Sequence, residues 1–180
     1  MAFQSIWYFT DIPNKIIDII EEDLKENFDP QLQDSKVGGG DYGTVDKDKR
    51  NARNAWVPTT HWVAGFVWHY VQRANRENFL YDLTNIDGES LQYTVYGEGE
   101  YYGWHKDITG KEISQKKRYC SLVIQLNDGY ENGDLELKLS DTDLIKVEKG
   151  IGNVILFLSD IEHRVTAVTD GVRYTLVNWV

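Results

Sequence analysis

The sequence is poor in cysteine and proline and has no long apolar run. Its single cysteine, Cys120, excludes an internal disulfide framework, and the apolar run from Tyr119 to Leu126 predicts that this thiol is buried. The longest apolar run, Val154 to Leu158, is far too short to cross a bilayer. The N-terminus also lacks a basic region followed by an apolar core. We therefore expect a soluble cytoplasmic protein that does not enter a membrane.

Basic residues are scarce relative to acidic ones. The chain has 19 Lys and Arg against 29 Asp and Glu, which gives a net charge of -10. Such a chain repels phosphate backbones unless a local basic groove overrides the total, so a nucleic-acid partner is disfavoured. Hydrophobic residues are plentiful at 41%, and 180 residues suffice for one domain with its own core. We expect a single domain over residues 1–180, and its oligomeric state stays open.

The first half of the chain predicts two helices. A short strand at 6–9 precedes apolar residues at helical spacing, which predict a helix from about residue 13 to about residue 26. Pro58 and the threonines after it open a second helix with a broad apolar face that extends to Ala74. Between them, residues 27–55 have an irregular pattern, and a loop of that length is usually functional or disordered. Such a loop could order on substrate binding.

From Ser90 onward the apolar residues alternate with a period of two, which predicts strands. Candidate strands are residues 90–96, 102–108, 117–126, 134–139, 143–148, 153–158, 162–168 and 172–180. Eight short strands after two helices predict a mainly β (α+β) protein, a double-stranded β-helix of the jelly-roll or cupin-like type with the helices packed on one sheet. Residues 90–180 would form this core, and residues 1–89 would form its helical and loop support on the substrate side.

Two histidines and an aspartate indicate a metal site. His105 and Asp107 are two residues apart, so on a strand both side chains point to the same face. His163 follows 56 residues after Asp107, and a jelly roll could bring it to the same ion. Two imidazoles and one carboxylate are the ligand set of mononuclear non-haem iron(II), which leaves positions open for a 2-oxo acid and dioxygen. A structural zinc site would leave none.

Arg173 strengthens this interpretation. A lone His-x-Asp pair occurs often by chance, but Arg173 follows His163 by ten residues and shares a strand face with Thr175. A guanidinium inside a barrel needs an anion, and the distal carboxylate of 2-oxoglutarate, bound bidentately with help from a hydroxyl, supplies one. An internal salt bridge is the less favoured alternative.

These motifs resemble those of the iron(II)- and 2-oxoglutarate-dependent dioxygenases. Within that family the motifs resemble those of the prolyl 4-hydroxylase-like branch, and within this branch those of the bacterial and phage PKHD-type hydroxylases. The first motif of that family falls on Tyr96, Gly99, Tyr102, His105 and Asp107, and the second on His163, Arg164-Val165-Thr166 and Arg173-Tyr174-Thr175. The resemblance covers roughly the C-terminal half and is only loose over residues 1–89.

The resemblance implies a role for each matched residue. His105, Asp107 and His163 would bind Fe(2+), Arg173 would bind the distal carboxylate of 2-oxoglutarate, Tyr96 and Thr175 would hydrogen-bond this cosubstrate, and Tyr102 would line the pocket near the metal. Dioxygen would be the second cosubstrate, with ascorbate (vitamin C) as a further candidate cofactor. Tyr93 competes with Tyr96, but its alternation with Leu91 and Val95 predicts that its ring faces the opposite side.

The implied reaction is hydroxylation of a C–H bond in a prolyl or other amino-acid residue of a peptide or protein, with succinate and CO2 as coproducts. If the chain is phage-encoded, it would act in the host cytoplasm. A free amino acid or small metabolite is the alternative substrate, and a non-catalytic jelly-roll binding module is the alternative of another class. A nucleic-acid demethylase is disfavoured by the charge, and a zinc hydrolase leaves Arg173 and Thr175 without a role.

Residues outside these motifs carry weaker expectations. Trp104 could stack on substrate, but core packing is favoured. The run from Asp46 to Arg50 is expected to be a solvated charged surface. Arg50, Arg53 and Trp56 are nevertheless candidates for contact with an acidic or peptide substrate.

Overall fold

The computed structural model describes residues 4–38, 43–83, 89–108 and 118–180. It has two α-helices, α1 (Asn14–Phe28) and α2 (Trp62–Ala74). A 3-10 turn (Asp29–Gln31) follows α1, and a π-helical turn (Asn75–Phe79) follows α2. The strands are β1 (Ile6–Phe9), β2 (Gln33–Asp34), β3 (Arg50–Asn51), β4 (Arg53–Val57), β5 (Leu91–Tyr96), β6 (Tyr101–His105), β7 (Cys120–Gln125), β8 (Tyr130–Asn132), β9 (Leu135–Lys138), β10 (Leu144–Lys146), β11 (Val154–Leu158), β12 (Glu162–Val165), β13 (Val168–Gly171) and β14 (Arg173–Trp179).

The strands form two facing sheets and one short ribbon. The large sheet has seven strands in the order β1-β11-β7-β14-β5-β4-β2, and the small sheet has five in the order β10-β9-β12-β6-β3. Strands β13 and β8 form the ribbon. Neighbouring strands pair antiparallel throughout these sheets. The prediction of a mainly β double sheet is confirmed.

The two helices pack on one face of the large sheet. Ile17, Ile20 and Leu24 of α1 and Val63 and Val67 of α2 are buried in one cluster with that face. This is the amphipathic spacing that the sequence predicted for each helix. None of the described helices is long and apolar enough to cross a membrane.

A second core lies between the two sheets. Because side chains alternate along a strand, Leu122 and Ile124 of β7 face the helices, whereas Val123 faces the small sheet. There Val123 belongs to a buried cluster with Phe157 of the large sheet and Leu137 of the small one. Strand β11 is therefore apolar on both faces, as a strand between two layers requires, whereas β7 has Ser121 and Gln125 beside Val123 on its inner face.

The prediction of an irregular loop at residues 27–55 is wrong in part, because the segment contains short strands. Its segments β2 and β4 extend the large sheet, and β3 pairs with β6 in the small sheet. Strands of two residues and the polar sequence around them leave no period to detect. Residues 39–42 of this segment, where ordering on substrate binding was considered, lie outside the described residues.

Two glycine-containing segments that lie between the predicted strands are also strands. The segment Glu131 to Gly133 and the pair Asp170-Gly171 belong largely to β8 and β13, which pair with each other. Their glycines do retain turn geometry, since φ is +62° at Gly133 and +76° at Gly171. Trp104 was expected in the core, but it lies on the outer face of the small sheet with 39% exposure. The guanidinium of Arg164 covers its ring, 4.7 Å from the centroid, in place of core neighbours.

Candidate metal and cosubstrate site

The three predicted metal ligands meet at one point of the small sheet. His105 ends β6, Asp107 follows it, and His163 lies on the neighbouring strand β12 directly opposite His105. Nε2 of His163 is 3.3 Å from Oδ2 of Asp107, and Nε2 of His105 is 3.6 Å from Oδ1. The three side chains offer ligand atoms that all lie within 4.8 Å of one another. Strand pairing therefore brings together residues that are far apart in sequence.

Backbone carbonyls fix the orientation of both imidazole rings. Nδ1 of His105 lies 2.8 Å from the carbonyl oxygen of Gly103, and Nδ1 of His163 lies 2.9 Å from that of Ile161. A carbonyl oxygen only accepts hydrogen bonds, so each Nδ1 carries the proton and donates it. The lone pair is then on Nε2, which faces the other ligands. Metal-binding histidines are commonly held in this way.

The charges at the site suit a divalent cation. Burial, and after it the neighbouring His163, lowers the pKa of His105 to about 4, so this ring is neutral at pH 7. Burial alone would raise the pKa of Asp107, but His163, His105 and the Ser121 hydroxyl together hold it below the usual range of a carboxyl group. A neutral imidazole and an ionised carboxylate are the forms that bind metal ions. Two imidazoles and one carboxylate fit ferrous iron.

Two serines contact Asp107, and the sequence analysis did not identify them. Ser121 Oγ donates a hydrogen bond to Asp107 Oδ2 at 2.7 Å, and the backbone N–H of Asp107 donates to the carbonyl of Ser159 at 2.9 Å. Ser121 is fully buried on β7, a strand that is otherwise mostly apolar. A hydroxyl in such a strand requires a polar partner, which is the signal that could have found it.

Arg173 lies on β14 of the large sheet with 2% exposure. Among the described residues it has no carboxylate within salt-bridge distance, and its Nε has no hydrogen-bond partner. The guanidinium lies 5.3 Å from the centre of the Tyr96 ring. The internal salt bridge considered as an alternative is thus absent from the described part of the chain. Because an unpaired buried charge is costly, this arginine calls for an anionic ligand.

The remaining predicted site residues face the same cavity. Tyr96 on β5 and Thr175 on β14 are buried and line it, and Tyr102 lines it beside His105. The Thr175 hydroxyl donates a long hydrogen bond of 3.5 Å to the carbonyl oxygen of Thr94. Tyr93 faces away, because its hydroxyl donates to Asp29 Oδ1 at 2.9 Å on the helix side of the large sheet. The alternation of β5 therefore places Tyr96, and not Tyr93, in the cavity.

A β-bulge explains how Tyr102 and His105 reach the same cavity. They are three positions apart on β6, an odd offset, so in a regular strand they would point to opposite faces. The pairing shifts between His163 opposite His105 and Val165 opposite Tyr102, and the extra residue lies on β6. The Tyr102 ring consequently stacks on the His105 imidazole, with centroids 3.5 Å apart and planes 13° from parallel.

The cavity has a volume of about 960 Å³ and a second wall from the N-terminal half of the chain. Arg50 lines this wall with 6% exposure, which contradicts the expected solvated surface at that residue. Its Nη2 donates to Gln92 Oε1 at 2.7 Å, and its guanidinium lies 4.6 Å from the centre of the Tyr102 ring. Pairing of β3 with β6 carries Arg50 inward, since Arg50 lies opposite Tyr102.

The chain is similar to known hydroxylases. A PKHD-type hydroxylase of Rippkaea orientalis is 34% identical over 95 residues, which is 51% of this chain and 42% of that protein. The chain thus matches about two fifths of the length of this relative. A Pseudomonas putida prolyl-4-hydroxylase superposes with a TM-score of 0.75 at 20% identity, over 97% of this chain and 91% of the other.

A Trichoplax adhaerens prolyl hydroxylase, solved with a hypoxia inducible factor peptide fragment, superposes with a TM-score of 0.79 at 15% identity. This likeness extends over 97% of the present chain and 82% of the other, and at such identities it shows the fold. Residues 91–180 match the 2OG-Fe(II) oxygenase superfamily. The three ligands and the buried arginine fit the iron and the 2-oxoglutarate that this family uses. The chain is a member of the 2OG-Fe(II) oxygenase superfamily.

Proposed function

We propose that this protein is an iron(II)- and 2-oxoglutarate-dependent dioxygenase that hydroxylates a prolyl or other amino-acid residue of a peptide or protein, releasing succinate and CO2. The observation that carries the proposal is the joint presence, in one cavity, of a three-ligand metal site and a buried arginine without an anionic partner among the described residues. A metal-binding scaffold alone would not need the arginine.

Each site residue predicted from the sequence has a role in this proposal. His105, Asp107 and His163 hold the iron, which with its cosubstrates supplies the oxidising power that breaks a C–H bond. Arg173 binds the distal carboxylate of 2-oxoglutarate, and Thr175, two residues along the same strand face, donates a further hydrogen bond. Tyr96 and Tyr102 border the cosubstrate, Tyr96 with its phenol and Tyr102 through the ring that covers His105.

Apolar side chains complete the interior of the cavity. Val123 of the large sheet and Leu135 and Val165 of the small sheet line it and are buried. Apolar walls beside the ligands and Arg173 lower the local dielectric constant, which strengthens each electrostatic contact there. Fixed ligands and this apolar lining are what the protein contributes to the reaction.

The mouth of the cavity suits a peptide. Trp56 is 49% exposed, and its ring centroid lies 6.3 Å from that of Trp179. Arg118 lies 4.1 Å from the centre of the Trp179 ring and donates two hydrogen bonds, of 2.9 and 2.6 Å, to the Glu89 carboxylate. The exposed Trp56 indole, packed beside the buried Trp179 and fixed charged groups, can bind both the apolar and the amide parts of an extended chain. The Trichoplax neighbour, whose structure contains a peptide, supports this choice by analogy.

Arg50 favours a second candidate, a free amino acid or small acidic metabolite. Its guanidinium is buried in the cavity and, within the described ranges, has a neutral amide partner in Gln92 but no carboxylate. A substrate carboxylate would satisfy it. A peptide would instead have to offer a backbone carbonyl or an acidic side chain at this point.

The first test is anaerobic titration of the iron(II)-loaded protein with 2-oxoglutarate. We expect the weak visible charge-transfer band of a chelated 2-oxo acid, saturable in the wild type and missing in His105→Ala. Succinate release is then measured with proline-containing peptides, the same peptides without proline, and free amino acids. Peptide-specific turnover supports the main proposal, turnover of free amino acids supports the alternative, and a missing band despite confirmed iron loading overturns both.

A further inference from the structure

Asp107 differs from the two histidine ligands in how it is held. His105 and His163 lie on paired strands of the small sheet, and each ring bonds a carbonyl two residues back along the chain. Asp107 lies beyond the end of β6, so no strand ladder fixes it. Its backbone N–H donates to Ser159, and its side chain accepts from Ser121 of the opposite sheet. The position of this ligand therefore depends on groups from outside its own strand.

The direction of the hydrogen bonds can be deduced. A carboxylate only accepts, so Ser121 uses its single hydroxyl proton on Asp107 Oδ2, 2.7 Å away. Ser121 Oγ also lies 3.2 Å from Ser159 Oγ, and having no second proton it must accept there. The hydroxyls thus form a chain from Ser159 to Ser121 to Asp107, and both serines are fully buried. Because water does not compete for these buried groups, the donor and the acceptor of each hydrogen bond are fixed.

The same bonds distinguish the two oxygens of the carboxylate. Oδ2 accepts from Ser121, whereas Oδ1 accepts no hydrogen bond from the described residues. Fixing one oxygen with a protein donor leaves the other for a metal ion. A carboxylate that binds through a single oxygen also leaves more of the coordination sphere open for cosubstrates than a bidentate one.

We propose that Ser121 is a positioning residue that orients the metal ligand Asp107, and that Ser159 acts through it by orienting the Ser121 hydroxyl. The inference rests on the metal site of the proposed function and adds to it the link between the two sheets. Donors that orient a ligand commonly change metal affinity by about 10- to 100-fold when they are removed.

The test is the affinity for Mn(II), a redox-stable probe of the site, followed by calorimetry and by the loss of the free-ion electron paramagnetic resonance signal. Ser121→Ala should weaken Mn(II) binding by about tenfold or more. Ser121→Thr keeps the hydroxyl and should bind Mn(II) nearly as the wild type does. Ser159→Ala should have a smaller effect than Ser121→Ala, because it removes only the donor to Ser121.

Ser35→Ala is the matched control. Ser35 is also buried, with 1% exposure, and its Oγ has no hydrogen-bond partner among the described residues. It should leave Mn(II) affinity unchanged. A merely structural role for Ser121 would lower the melting temperature of the metal-free protein without changing Mn(II) affinity, and that result overturns the inference.

Two further results would contradict the role given to Ser121. If Ser121→Thr binds Mn(II) as weakly as Ser121→Ala does, loss of the hydroxyl is not the cause of the weaker binding, and the inference is wrong. If Ser121→Ala does not fold, unchanged Mn(II) affinity in Ser159→Ala overturns it instead. Failure of the proposed function looks different, because the wild type would then bind Mn(II) but show neither the 2-oxoglutarate band with iron nor succinate release.

Discussion

The two walls of the cavity come from different halves of the chain and have different chemistry. The wall from residues 91–180 carries the three ligands and Arg173, held by strand pairing and by backbone carbonyls. The wall from the N-terminal half carries polar and aromatic groups: Gln31, Gln33, Asp34, Arg50, Asn54 and Trp56. The family match covers only the first wall. We infer that the first wall performs the reaction, and that the second selects what is hydroxylated.

The two buried arginines show the contrast most clearly. Among the described residues, the Nε of each arginine has no hydrogen-bond partner. Arg50, on the N-terminal wall, donates one short bond from Nη2 to Gln92 and lies over the Tyr102 ring. Arg173, on the C-terminal wall, contacts the Tyr96 ring and has no such bond within the described part of the chain. Arg173 therefore depends more on a ligand, and its loss should have the larger effect on binding.

The largest effect is expected when a metal ligand on the C-terminal wall is removed. His163→Ala should abolish binding of iron(II), and with it turnover, because the two remaining ligands cannot hold the ion against water. Anaerobic titration with iron(II) measures this directly. His69→Ala, at an exposed position on α2, is the matched control and should bind iron normally. Retention of wild-type iron affinity in His163→Ala would remove His163 from the site.

Arg173→Ala should weaken binding of 2-oxoglutarate but not binding of iron(II). Loss of a bidentate charged contact in a dry site should weaken 2-oxoglutarate binding by roughly 100-fold, or about 3 kcal/mol. Iron(II) affinity should stay within about threefold, because Arg173 lies on the opposite sheet from the ligands. Arg164→Ala is the control, since Arg164 lies on the outer face of the small sheet, paired with Glu136. Unchanged 2-oxoglutarate affinity in Arg173→Ala would contradict the role given to this residue.

The C-terminal wall should also make the metal-free protein sensitive to acid. Burial and the neighbouring His163 lower the pKa of His105 from 6.5 to about 4. Between these values the unfolded chain binds a proton that the folded chain excludes, so stability falls as the pH drops through this window. The loss is at most about 3 kcal/mol. Urea unfolding with a chelator at pH 7, 6, 5 and 4.5 measures it, and His105→Gln should flatten the curve. An equally steep curve in that variant would assign the effect to other groups.

Sequence patterns predicted the C-terminal wall because its residues obey local rules. The spacing of His105 and Asp107 and that of Arg173 and Thr175 place each pair on one face of an extended chain. The alternation of β5 likewise separates Tyr96 from Tyr93. The double sheet, the packing of the helices and the family were predicted and are confirmed. The individual roles of the site residues stay predictions.

The N-terminal wall was predicted only in part, through Arg50 and Trp56 as candidate substrate contacts. Contacts between distant residues, there and elsewhere in the cavity, have no signal in the sequence. Arg50 follows a run of charged residues, and only the pairing of β3 with β6 and a partner in Gln92 bury it. The link from Ser121 to Asp107 joins two sheets, and the position of Tyr102 depends on a bulge that has no local signature. The sequence favours core packing for Trp104, yet its side chain lies on the outer face of the small sheet.

The smallest effect is expected at the N-terminal wall, and it separates substrate choice from chemistry. Arg50→Met keeps the length and packing of the side chain but removes its charge, so iron(II) and 2-oxoglutarate affinities should stay within about threefold. The KM for the substrate should rise by about tenfold, roughly 1.4 kcal/mol, with kcat little changed. Arg53→Met, at a more exposed position on β4 beside Glu100, is the control and should leave KM unchanged. A drop in kcat at constant KM would instead place Arg50 among the groups that support Tyr102 and His105. Reaction and substrate selection would then not be assigned to separate walls.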